Sequence, residues 1–183
     1  MGKRSNLIVK DRPKDFWGTV DPDAIPPKFV EIIRGKTYAE PCYGVGDLED
    51  LLVDVAVCKW RSDVRETVGS SQVMDALDIT KEDLQGIDYI ITNPPFKWEW
   101  LQPLLDYLPT LKPTWMLLPA DFMHNKRSSP YMEKCVYVLA VRRLYWWLDS
   151  GDLSQRGVKG KDNYCWYLFD SWYEGKTEFI GRS

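Results

Sequence analysis

Asn93, Pro94, Pro95 and Phe96 directly follow the apolar run Tyr89-Ile90-Ile91-Thr92. A β-favouring run of this length reads as a buried strand. Two successive prolines cannot donate to a sheet ladder, so the strand must stop there. The residue before a proline is pushed out of the helical region, which keeps Asn93 extended. The result is a stiff turn at the carboxyl end of a strand. It presents one amide, one proline carbonyl and one ring. The Asn93 side-chain oxygen and the Pro94 carbonyl are both acceptors. Together they suit both hydrogens of an exocyclic NH₂ on a flat ring. Accepting both draws the nitrogen lone pair out of conjugation and makes it a nucleophile. Phe96 suits the ring face, a contact worth ~1–3 kcal/mol per base.

This set resembles the Asn-Pro-Pro-Phe motif of S-adenosylmethionine-dependent amino-methyltransferases, specifically the DNA adenine-N6 enzymes. The resemblance implies that Asn93, Pro94, Pro95 and Phe96 are the catalytic residues, with Asn93 also touching the cofactor. A second motif lies upstream. Thr37-Tyr38-Ala39 reads as a strand running into Glu40-Pro41-Cys42-Tyr43-Gly44-Val45-Gly46. Leu48, Leu51, Leu52 and Val55 then mark one helix face. Strand, Gly-x-Gly turn and helix open a nucleotide-binding βα unit, where glycines let the backbone approach a ligand. Glu-Pro-Cys-x-Gly-x-Gly resembles the cofactor loop of the same enzymes. By that resemblance Glu40 lies near the cofactor amino group, with Pro41 and Cys42 beside it, and Gly44 and Gly46 line its methionine part.

Further elements position the remaining candidates. A second strand at 55–60 leads to Asp63, 23 residues after Glu40. An acidic residue at the end of a second strand, ~20 residues on, is placed for ribose hydroxyls. Val64 would pack on the cofactor adenine. Asp75-Ala76-Leu77, after the strand-like 72–74, resembles the motif that contacts the adenine amine. Trp17 and Thr19, in Asp15-Phe16-Trp17-Gly18-Thr19, resemble the aromatic-Gly-Thr segment that precedes the cofactor loop.

The spacing predicts helices over 27–34, 98–108 and 131–139, and strands over 115–118, 143–148 and 163–169. The last two strands form an expected antiparallel hairpin, with 170–183 as a polar tail. The expected fold is α/β: a Rossmann-like methyltransferase fold with a mostly parallel central sheet, an antiparallel C-terminal hairpin and helices on both faces. Both motifs then open on one rim, where open α/β sheets bind ligands. Residues 1–14 read as a flexible basic arm, and 15–183 as one domain.

Composition sets the limits. The chain has 183 residues and a net charge of −3. Basic clusters capable of meeting phosphates are Lys3 to Lys14, Lys126–Arg127, and Arg156, Lys159 and Lys161. The apolar runs are too short to cross a bilayer, and the N-terminus lacks a signal-peptide core. A cytoplasmic protein is expected. The four cysteines lack metal-ligand spacing and His124 is the only histidine, so no metal is expected. Most of the nine tryptophans and ten tyrosines are assigned to the core. His124 reads as a polar loop residue at the surface, not a base.

The expected substrate partner is DNA, its adenine flipped out or already single-stranded. Sequence-specific relatives carry a separate recognition segment for which this chain has no room. Short or relaxed specificity is expected, read by loops 123–130 and 149–162. Small stand-alone enzymes of this type resemble those of bacteriophages, where methylation shields DNA from restriction. Three alternatives stand beside this: another amine (cytosine N4, RNA adenine, a glutamine amide), a non-catalytic cofactor-binding subunit, or an enzyme that consumes S-adenosylmethionine without methylating nucleic acid.

Overall fold

A computed structural model of the chain describes residues 17–66, 72–148 and 158–182. The basic arm at 1–14 and most of loop 149–162 lie outside these residues.

The large sheet has eight strands: β2 (Thr37–Glu40), β3 (Val57–Asp63), β4 (Gln72–Val73), β5 (Tyr89–Thr92), β6 (Thr114–Pro119), β7 (Cys135–Ala140), β10 (Tyr164–Phe169) and β11 (Glu178–Ile180). Their order is β11-β7-β10-β6-β5-β2-β3-β4. β10 is antiparallel to both neighbours, β6 and β7. The other pairs are parallel. A small sheet pairs β8 (Tyr145–Leu148) antiparallel with β1 (Trp17–Gly18) and β9 (Val158–Lys159).

Alternation along the strands builds a core on each face. Ile90, Met116 and Leu118 meet Leu101, Leu104, Leu105 and Leu108 of α3 (Trp98–Leu111). Ile91, Trp115 and Leu117 meet Phe29 and Ile33 of α1 (Pro27–Ile33), and Leu48 and Leu52 of α2 (Asp47–Leu52). Each fully buried side chain of this size contributes roughly 1.5–3 kcal/mol. Much of the aromatic excess is here. Phe29 stacks on Trp166 at 4.6 Å and meets the edge of Trp115 at 5.1 Å. Gly35 ends α1 at φ 70°, as its position after the helix predicts.

Three expectations are corrected. Residues 131–139 are not a helix: α4 (Ser129–Met132) is a single turn, and Cys135–Ala140 is strand β7. A strand buried between β10 and β11 carries a continuous apolar run, whose period does not distinguish it from a helix. Val136, Tyr137 and Val138 favour the strand. Residues 143–148 do not pair with 163–169 in a hairpin. β8 turns away to β1, and β10 inserts between β6 and β7. The antiparallel element is real, with different partners. Residues 170–183 are not only a tail, because Glu178–Ile180 adds edge strand β11.

Candidate active site

The strand order reverses between β2 and β5. At such a switch point the loops leaving the two strands diverge, and a crevice opens beyond their carboxyl ends. β2 delivers Glu40 to this rim, and β5 delivers Asn93. The cleft there, counted out to its mouth, is about 1080 Å³.

Glu40 is buried at 2 % exposure, and its Oε2 has no hydrogen-bond partner among the described residues. Burial holds its carboxyl well above the ordinary range. Glu49, Asp47 and Asp63 push the same way, and Arg61 opposes them. A buried carboxylate is costly unless a cation or donors meet it. It lines the cleft, where a positive group would satisfy it.

Asp63, also buried, ties the loop together. Its Oδ2 accepts the Gly44 amide at 2.9 Å, and its Oδ1 accepts the Arg65 amide at 2.9 Å. A carboxylate oxygen has room for a second donor, so Asp63 retains acceptor capacity for a hydroxyl. Asp75 Oδ1 accepts the Leu77 amide at 3.0 Å and turns the chain after β4. Gly44 and Gly46 have φ of 59° and 94°. A Cβ on Gly46 would stand 2.5 Å from Tyr43 Oη.

Asn93 Nδ2 donates to Thr19 Oγ1 at 3.1 Å. Thr19 follows β1, so the small sheet reaches over to the end of β5. The other arm of the amide carries the oxygen, which is buried.

Of the residues singled out from the sequence, the cleft is lined by Thr19, Glu40, Pro41, Cys42, Gly44 and Asp63. Val64, Asp75, Ala76, Asn93, Pro94 and Pro95 complete that set. Trp17 lies on β1. Gly46 does not line the cleft: it caps α2 behind the loop. Phe96 does not line it either. Its ring packs 5.8 Å from Tyr164 and 6.3 Å from Trp146. Leu77, next to Ala76 in the same motif, also lines it, whereas sequence reasoning missed the α3 wall of Trp100, Pro103 and Leu104. The spacing of these last three is itself helical, on a face adjoining the core stripe.

The start of α3 also forms a basic, aromatic rim. Lys97 Nζ sits 4.4 Å from the Trp100 ring centre, and the Arg127 guanidinium 4.5 Å from that of Trp98. Among the described residues no helix is long and apolar enough to cross a membrane, and no group of metal-ligating side chains is present.

The residues fit an amino-acid-bearing sulfonium nucleoside. The orphaned Glu40 oxygen suits its ammonium, Asp63 its hydroxyls, and Val64, Ala76 and Leu77 a flat base.

No protein-family model matches the chain, and no curated protein matches its sequence. Solved structures do. One neighbour is a Pyrococcus horikoshii protein assigned as an RNA methyltransferase. It has a TM-score of 0.53 and 15% identity, covering 77% of this chain and 78% of that one. Another is a Vibrio vulnificus protein assigned as the modification subunit of a type I restriction enzyme. It has a TM-score of 0.50 and 10% identity, covering 94% of this chain and 48% of that one. The chain thus spans about half of the Vibrio protein. At these identities the likeness is one of backbone path, and the chain has the Rossmann-like fold of methyltransferases.

Proposed function

We propose that the chain transfers a methyl group from S-adenosylmethionine to the exocyclic amine of adenine in DNA. The reading is carried by one cleft that holds both the Asn93-Pro94 acceptors and the buried, orphaned carboxylate of Glu40. S-adenosylmethionine, when bound, supplies an electrophilic methyl group on a sulfonium. Glu40 would hold its ammonium, Asp63 its ribose, and Asp75, Val64 and Ala76 its adenine. Asn93 Oδ1 and the Pro94 carbonyl would take the two hydrogens of the target amine and fix its lone pair toward the cleft. These acceptors also stabilise the positive charge that develops on the nitrogen. Holding donor and acceptor in line removes much of the entropic barrier.

The α3 rim supports a nucleic-acid partner. Cations seated on aromatic rings suit phosphates and unstacked bases. RNA is the second reading, favoured by the same rim and by the Pyrococcus neighbour, whose assigned activity is on RNA. Specificity is proposed to be short or relaxed, read by residues 123–130 and 149–162.

The test is transfer of labelled methyl from S-adenosylmethionine to unmethylated DNA, single- and double-stranded, with RNA and protein alongside, followed by nucleoside analysis. N6-methyladenine in DNA is expected. Label in RNA only, or in cytosine, would replace the substrate. Asn93→Ala is expected to lower transfer by about 100-fold or more while cofactor binding persists, the loss typical when one preorganised polar group is removed.

A further inference from the structure

Glu40 and Arg61 are direct partners across the parallel pair β2–β3. Partnered residues of adjacent strands stand on the same face, about 4.8 Å apart. A carboxylate beside a guanidinium ordinarily forms a forked ion pair with it. That pair is not made here. Arg61 instead donates Nε and Nη2 to the two carboxylate oxygens of Glu49 on α2. Its guanidinium also lies 5.9 Å from the Tyr43 ring centre. Glu40 keeps an oxygen without a partner among the described residues.

The arrangement is costly for Glu40, and the cost has a use. A Glu40–Arg61 pair would be neutral, and an incoming ammonium would have to break it. With Arg61 engaged on α2 and Arg65 paired with Asp63 at 3.3 Å, the Glu40 carboxylate in the cleft lining is left for an incoming cation.

We propose that Glu49 is a positioning residue for cofactor binding: its fork on Arg61 keeps the guanidinium off Glu40 and reserves that carboxylate for a cationic amino group. The proposal rests on the reading of the cleft as an S-adenosylmethionine site. Glu49 touches no reacting atom and acts through Arg61.

Glu49→Gln keeps the side-chain shape and removes the charge that holds Arg61. Two measurements test it. Calorimetry with S-adenosylmethionine is expected to show affinity falling about 10-fold or more in Glu49→Gln, as when a charged hydrogen bond is contested. Adding Arg61→Met removes the competing guanidinium, and most of that loss is expected to return. A purely structural role for Glu49 would leave the double variant as weak as the single one, which would overturn the proposal. Unchanged affinity in Glu49→Gln would also overturn it.

The second measurement needs no cofactor. Carbon-detected NMR titration of the Glu40 carboxyl reads its surroundings: burial first, then Glu49, Asp47 and Asp63, raising its pKa, and Arg61 lowering it. Loss of the Glu49 charge lowers the Glu40 titration by itself, so the reading is how far Arg61→Met raises it in each background. Arg61→Met is expected to raise it more in Glu49→Gln than in the wild type, because Arg61 then lies beside Glu40, and an equal rise in both backgrounds means that Glu49 does not divert Arg61. A wild-type protein that binds no S-adenosylmethionine overturns the reading of the cleft, whereas the titration still decides the diversion of Arg61.

Discussion

Asn93 and Thr19 are 74 residues apart in the chain and joined by a 3.1 Å hydrogen bond from amide to hydroxyl. The bond anchors the Asn93 side chain to the small sheet. Thr19→Val removes the anchor and frees the side chain to leave its place at the end of β5. Turnover is expected to fall about 5- to 10-fold, the worth of one neutral hydrogen bond. Thr19→Ser is expected to restore it. Steady-state kinetics with a parallel cofactor titration checks this. A weaker cofactor Kd with unchanged turnover would assign Thr19 to the cofactor and not to Asn93.

Glu40→Gln is expected to separate stability from binding. The folded-state pKa of Glu40 is raised, chiefly by burial. A raised carboxyl contributes stability that is full below its unfolded value and is lost as pH climbs through the folded value. The cofactor-free wild type should therefore lose stability relative to Glu40→Gln as pH rises above the ordinary value of 4.5. At neutral pH the variant is expected to be more stable by about 1–3 kcal/mol, the cost of an unsatisfied buried group. S-adenosylmethionine should bind it about 10- to 100-fold more weakly, as expected for a lost charged hydrogen bond. Melting curves from pH 5 to 8, as an approximate range around neutrality, with and without cofactor, read both effects. A variant less stable than wild type throughout would mean that Glu40 is satisfied in the apo protein.

Gly46→Ala meets two obstacles. At φ 94° a left-handed alanine costs roughly 1–2 kcal/mol. Its Cβ would also displace the Tyr43 hydroxyl. A fall in Tm of about 2–8 °C is expected for a chain of this size, together with weaker cofactor binding, because Tyr43 belongs to the cleft lining. Gly35→Ala is the control: φ is 70° and nothing lies within 4 Å of the added carbon. It should lose comparable stability and keep its cofactor affinity. Equal binding by both alanine variants would remove Tyr43 from the argument.

Arg127→Glu tests the rim. Arg127 is exposed over Trp98 and lines no part of the cleft. Affinity for a labelled single strand is expected to fall, and the slope of log affinity against log salt to drop by about 0.7 for the lost phosphate contact. Cofactor binding should not change. An unaltered salt slope would take the nucleic acid elsewhere on the surface.

Local chemistry was legible in the sequence. The Pro-Pro stop after Thr92, the Gly-x-Gly turn after Glu40 and the helical stripe of Leu101, Leu105 and Leu108 depend on φ restrictions, missing donors and side-chain period. These act over a few residues. They are enough for the α/β class and for which strands end in chemistry-bearing turns.

Partner choice between distant segments was not legible. Cys135–Ala140 reads equally as helix or strand until β10 and β11 pair with its two edges. Tyr145–Leu148 carries no mark that β1 will take it in place of β10. Phe96, expected at a substrate ring, packs against Tyr164 and Trp146 because that aromatic cluster assembles only once β8 and β10 are in place. The Thr19–Asn93 bond and the diversion of Arg61 by Glu49 follow from the same cause. Sequence alone determined which groups stand at strand ends, since that is set by neighbours in the chain. Only the tertiary structure decided which of those groups meet, because pairing across the sheet is won by burial and hydrogen bonding summed over residues far apart in the chain.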